Sequence, residues 1–199
     1  TVRDVATVQV SNLPRLGIAG QNLDDDIVEG IVLMRRGEQS LPTIERVEAE
    51  VDPDALFAEV TRLGGERGWL VGNWLWSIRG LMDLAVGGIG LRRGRRHPTE
   101  LRVGDVVDFW RVEERVEGQR LRLYAEMILP GKAWLEFRIE PLADGTTVTQ
   151  TATFQPRGLG GHMYWRLVAP FHTLVFPPML RNLCKAAQRR SQSAAAAQA

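Results

Sequence analysis

The chain has a single cysteine, Cys184, so no internal disulfide can staple it. A lone thiol in an apolar stretch reads as a small buried hydrophobe rather than a nucleophile. The three histidines, His97, His162 and His172, lie too far apart for ligand spacing, and no metal site is expected. Lysine is nearly missing: of 25 basic residues only Lys132 and Lys185 are lysine. That bias points to a GC-rich bacterial gene more than to a binding role. There is no Gly-x-Ser-x-Gly. GGIGLRRG follows a predicted helix and lacks the dinucleotide-loop spacing, so no nucleotide cofactor is expected. A net charge of +1 excludes a strong overall pull on nucleic acid. No basic start leads into an apolar run, and no segment qualifies as a membrane span: 69–91 is interrupted by Asn73, Arg79 and Asp83, and 167–180 carries His172 and Pro170, Pro177 and Pro178. The chain is therefore expected to be cytoplasmic, with no nucleic-acid partner.

What is present is ordinary for a globular protein, 44% hydrophobic and 25% charged over 199 residues. The charge is uneven. Residues 1–52 hold 5 Arg against 10 Asp and Glu, and the rest of the chain is net basic. Such a shift marks a seam between modules. Before it, RDVATVQV reads as a strand, LPRLGIAGQNLDDD as a loop and IVEGIVLMRR as a buried strand. SLPTIERVEAEV reads either as a helix start or as an extended segment.

After the seam, Asp52-Pro53 opens a helix that Gly64-Gly65 ends. Leu70, Trp74, Ile78, Leu81 and Ala85 recur at helical spacing, predicting an amphipathic helix over 69–86. VVDFWRVEERV, LRLYAEMIL, AWLEFRIEPL and TTVTQTATF then alternate as strands, with turns at EGQ, Pro130-Gly131 and Asp144-Gly145. One face collects Leu121, Leu123, Leu135, Phe137, Val148 and Gln150, among others. An apolar helix follows over about 160–190, with Val168, Phe171, His172, Val175 and Met179 along one side and prolines that must kink it. SQSAAAAQA reads as a disordered tail or a frayed continuation.

Two resemblances rest on these strings. RDVATVQV with DDDIVEGIVLMRRGEQSLPTIERVEAEV resembles a periplasmic piece of the heavy-metal efflux pumps of the resistance-nodulation-division family. It implies a fragment over 1–46 with no function of its own, joined by natural fusion, at a gene boundary or as a chimera. GGERGWL, LRVGDVVDFWRVE, LPGKAWLEF, TQTATFQPRGL and YWRL…PFH resemble an uncharacterised bacterial domain family. That family often sits C-terminal to short-chain-dehydrogenase-like proteins and is grouped with lipid-transfer and polyketide-cyclase-like proteins. It implies an α+β helix-grip domain over 47–190, a curved antiparallel sheet wrapped around a long C-terminal helix, with a tail at 191–199. It also implies an NAD(P)-dependent reductase-like partner.

The expected function is binding of a small apolar ligand, lipid-, polyketide- or aromatic-like, between sheet and last helix. Trp110, Gln150, Val168, Phe171, His172 and Val175 are the expected ligand-binding residues. Gln150 is a polar residue on an apolar face, and His172 an imidazole among apolar neighbours. A second reading makes the cup a cyclase- or dehydratase-like enzyme using His172 with Asp108 or Gln150, although no catalytic motif stands out. A third makes the module an interaction or regulatory domain, signalled by an exposed apolar face on the Trp-rich helix. Tyr124, Glu126 and Trp134 alternate with the outward set. Arg92, Arg93, Arg95 and Arg96 in LRRGRRHP are a candidate anion site.

Overall fold

The computed structural model describes residues 2–9, 40–85, 87–88 and 95–196. The expected strand IVEGIVLMRR and the whole of the predicted loop LPRLGIAGQNLDDD before it lie outside the described residues, as do Arg92 and Arg93. The elements run β1 (Val2–Gln9), β2 (Leu41–Ala49), α1 (Pro53–Val60), a 3-10 turn (Gly65–Arg67), α2 (Asn73–Ala85), β3 (Val106–Val107), β4 (Trp110–Val116), β5 (Arg120–Ala125), β6 (Gly131–Leu142), β7 (Gly145–Pro156) and α3 (Gly158–Ala196). Among the described residues the strands form one antiparallel sheet in the order β1-β2-β7-β6-β5-β4-β3. This curved sheet with its long C-terminal helix is the helix-grip architecture.

Alternation sets the two faces of the sheet. Leu121 and Leu123 on β5, Leu135, Phe137 and Ile139 on β6, and Val148, Ala152 and Phe154 on β7 are all buried. Against them α3 lays Val175, Phe176, Met179, Leu180, Leu183 and Cys184. The outer face is charged: Glu136 receives Arg120 at 2.9 Å, Arg138 at 2.9 Å and Arg122 at 3.4 Å.

β2 decides between the two readings of SLPTIERVEAEV: Leu41–Ala49 is extended and pairs with β7 from Leu41↔Phe154 to Ala49↔Thr146. The expected boundary at 46/47 falls inside this strand. β1 then pairs with β2 as an edge strand of the same sheet. Gly145 turns the β6–β7 hairpin where any side chain would collide with Ala49, a Cβ meeting its carbonyl oxygen at 2.5 Å.

α1 starts as expected, Asp52 accepting from the backbone N–H groups of Asp54 at 3.0 Å and Ala55 at 3.1 Å. Beyond its end, Arg95 donates to the carbonyls of Leu63, at 2.8 Å, and of Thr61. α2 starts at Asn73, later than its periodicity predicts, and Leu70 sits before it with φ 64°. Its apolar stripe faces away from the core: Trp74, Ile78 and Leu81 are exposed. The run VVDFWRVEERV is broken at Asp108, whose φ of 56° turns β3 into β4. Aspartate tolerates that left-handed backbone better than most residues. α3 continues through Ala196, which makes 191–196 the helical continuation of the two readings of the tail.

Glu59 ties α1 to α3. Its carboxylate, 3% exposed, accepts from Arg67 and, at 3.0 Å, from Arg190. Burial alone would raise its pKa, but the two arginine hydrogen bonds outweigh it and hold the group below its ordinary value. Glu59→Gln is expected to destabilise the fold by about 1–2 kcal/mol, below the range for a fully buried pair because Arg190 can turn to water. Urea unfolding at neutral pH reads this. Because the folded pKa is the lower one, the loss should shrink as the pH falls through the carboxylate range.

Candidate functional site

The concave face is apolar except where β2 and β7 meet. Thr43, Glu45, Val47 and Ala49 are the inward residues of β2, all buried. Glu45 is the register partner of Gln150, and Gln150 is in turn paired with Phe137 across β6. Directly opposed residues on one face hold their Cβ atoms about 5 Å apart. Thr43, Glu45 and Gln150 therefore form a polar island at 0% exposure in an otherwise hydrocarbon wall. Neither the amide nitrogen nor the amide oxygen of Gln150 has a hydrogen-bond partner among the described residues, nor has the Thr43 hydroxyl. A buried amide left in this condition costs about 1–3 kcal/mol.

His172 lies on α3 toward the Phe154 end of the cup, in ring contact with Trp165 (5.0 Å) and Phe176 (4.7 Å), while Trp165 stacks on Phe154 at 5.6 Å. One edge of the residue reaches the surface, but Nδ1 is buried with no hydrogen-bond partner among the described residues. Burial pushes its pKa down to about 4, so the ring is neutral at physiological pH. Asp108 does not join it. That carboxylate accepts the Trp69 indole N–H at 2.9 Å and the Gly65 N–H at 3.2 Å, inside a cluster of Trp69, Trp76, Phe109 and Trp110. Of the two partners the catalytic reading allows His172, Asp108 is thus engaged elsewhere, and among the described residues the Gln150 amide makes no hydrogen bond to it.

Among the other expected ligand-binding residues, Val175 is buried in the core, Val168 is half-buried, and Trp110 belongs to the aromatic cluster, its indole nitrogen without a partner among the described residues. Phe171 is a correction. The buried side of α3 is centred on Trp165, His172, Phe176, Met179 and Leu183, and Phe171, one step before His172, is turned roughly 100° from it. It is 46% exposed. The anion-site reading loses two of its arginines: Arg95 is spent on the carbonyls beyond α1, and Arg96 makes a forked pair with Asp105. Burial pushes the Cys184 thiol up to about 12, far from a reactive thiolate. Among the described residues no cluster of three or more His, Cys, Asp or Glu could hold a metal, and no helix is long and apolar enough to cross a membrane.

The sequence does not single out Thr43 and Glu45, because the charge seam and the pump-like resemblance place residues before 47 in a separate module. Alternation cannot recover them, since Glu45 is flanked by Ile44 and Arg46 and both faces of β2 carry charge. Only the register with β7 turns Glu45 inward. A shallow depression of about 260 Å³, lined by Glu48, Glu50, Leu142, Asp144 and Thr146 among others, lies at the β6–β7 hairpin, away from this island.

The unfolded chain binds a proton at His172 near its ordinary value of 6.5, whereas the folded chain resists until about 4. Stability should therefore fall as the pH drops through that window, with a slope of at most about 1.4 kcal/mol per pH unit from this residue. His172→Leu should flatten the urea midpoint across the window. A variant profile parallel to the wild-type one would show that the ring is not held neutral by burial.

No curated protein matches the chain. Among solved structures it is similar to CalU16 from Micromonospora echinospora, at 13% identity over 79% of this chain and 87% of that one, TM-score 0.38. It is also similar to a truncated norcoclaurine synthase from Thalictrum flavum, at 9% identity over 75% and 94%, TM-score 0.47. A third is the di-domain ARO/CYC StfQ of the steffimycin biosynthetic pathway, at 11% identity over 81% and 55%, TM-score 0.45. Likenesses of this order say nothing of what this chain binds. The comparisons lend no support to the pump-like reading of the N-terminal residues or to a reductase partner. Residues 42–179, from β2 into α3, match the family described as proteins of unknown function, DUF2867, and the chain belongs to that family.

Proposed function

We propose that the cup between the sheet and α3 binds a small, mostly apolar molecule that carries at least one hydrogen-bonding group. The observation that supports this reading is Gln150, whose amide is wholly buried and, among the described residues, unpartnered at both ends. A donor or acceptor on the ligand would satisfy it, with Thr43 and Glu45 beside it as further polar contacts and Phe137 and Val148 as apolar walls. Room for such a molecule comes from α3. Pro170, Pro177 and Pro178 remove three backbone donors from its interior, so the helix can bend there and lift its apolar side chains from the sheet. His172, neutral and next to Trp165 and Phe176, is the second polar group a ligand would meet. The binding reading is preferred over catalysis because no carboxylate among the described residues is positioned on His172.

Native mass spectrometry of the purified chain, followed by denaturing extraction, tests the proposal. A retained apolar molecule with a polar end supports it. An apo mass, with no thermal shift from a panel of hydroxylated and carbonyl-bearing lipids and polycyclic aromatics, overturns it. Gln150→Leu separates ligand recognition from stability. It should raise apo stability by about 1 kcal/mol, because the orphaned amide is gone, and weaken a bound ligand about tenfold.

A further inference from the structure

The outer face of α3 is divided lengthwise. Leu159, Met163, Leu167, Phe171 and Leu174 are 78%, 66%, 68%, 46% and 67% exposed. Farther along, Arg181, Lys185 and Arg189 are exposed as well. At 100° per residue all eight fall within an arc of roughly 120°, so one surface is hydrocarbon over its first half and cationic over its second. The apolar stretch is about 22 Å long. Ile128, 55% exposed, adjoins its start, on a loop whose Pro130 carbonyl accepts the Arg157 N–H at 2.9 Å.

Charge decides what this surface fits. No Asp or Glu occurs after Asp144, whereas Arg157, Arg166, Arg181, Lys185 and Arg189 are all exposed on or beside α3. Of the basic residues on this helix, Arg190 is the one paired to a carboxylate among the described residues. A second copy seated on the stripe would bring a second Arg166 to the same interface, with no Asp or Glu on either helix to meet it. An apolar band continuing into unanswered cations fits the boundary of an anionic lipid layer, where hydrocarbon enters between headgroups and arginine and lysine meet phosphate.

We infer that α3 docks this protein on anionic membrane surfaces, lying in the interface plane with Leu159–Leu174 buried at the acyl boundary and Arg181, Lys185 and Arg189 on the headgroups. Flotation of the full chain with vesicles tests this. Vesicles of equal parts phosphatidylcholine and phosphatidylglycerol should carry the protein up, and pure phosphatidylcholine should bind it at least about tenfold less. Leu167→Glu with Leu174→Glu should abolish binding while circular dichroism stays native, since both side chains are in water. Arg181→Glu with Lys185→Glu should remove the preference for phosphatidylglycerol and its sensitivity to salt. Wild-type protein left unbound by mixed vesicles would overturn the inference, and would leave an acidic protein as the better partner for the face. So would a leucine variant that floats like wild type, or a solution dimer that the leucine variant converts to monomer. None of the four substituted side chains faces the cup, so retention of a small molecule should be unchanged in both variants. Failure here is therefore distinguishable from failure of the ligand-binding reading.

Discussion

The antiparallel register between β2 and β7 is the constraint on which the rest depends. It joins strands 103 residues apart in sequence, as at Arg46 and Thr149. It sets Glu45 opposite Gln150 and so gathers the polar island. It also brings Gly145 against Ala49 so closely that the hairpin tolerates no side chain. A slip of one residue would turn Thr43, Glu45 and Val47 outward and Ile44 and Arg46 into the core. The polar island is thus a product of long-range pairing, not of any local motif.

Much of the fold was legible because periodicity is a local property. The β5–β7 alternation named the buried face correctly, and Asp52-Pro53 announced α1. Two kinds of feature were not legible. The first is anything decided by a distant partner: β2 alternates between two mixed faces, and only β7 selects one. The second is the direction in which an amphipathic stripe points. The spacing of Trp74, Ile78 and Leu81 correctly gave a helix, but periodicity cannot say whether its apolar side meets protein or something else. Phe171 failed for a related reason, since the sheet grips α3 along a seam displaced from the one that hydrophobicity alone suggested. Of the candidate site, Gln150, His172 and Val175 were readable as residues among apolar neighbours. Their relation to one another was not, and Asp108 proved to be an anchor for Trp69.

Polar side chains are used here in two opposed ways. Glu59, Asp108 and Arg95 are buried or half-buried with their hydrogen bonds completed, and they fasten α1, the 3-10 turn and the β3–β4 turn to one another. Gln150 and Thr43 are buried with theirs incomplete. A protein under selection for stability alone would replace the second pair with hydrocarbon.

The same β2–β7 pairing sets a schedule for synthesis. β2 emerges well before β7, so its interior neighbour in the sheet does not exist until the ribosome has added every element between them, and the helix that covers both follows β7. Until then β2 has only β1 beside it, and one whole edge of backbone donors and acceptors stands open. Nascent chains of this protein therefore pass through a long interval of unpaired strand and uncovered concave face, the condition under which chaperones engage and misassembly competes.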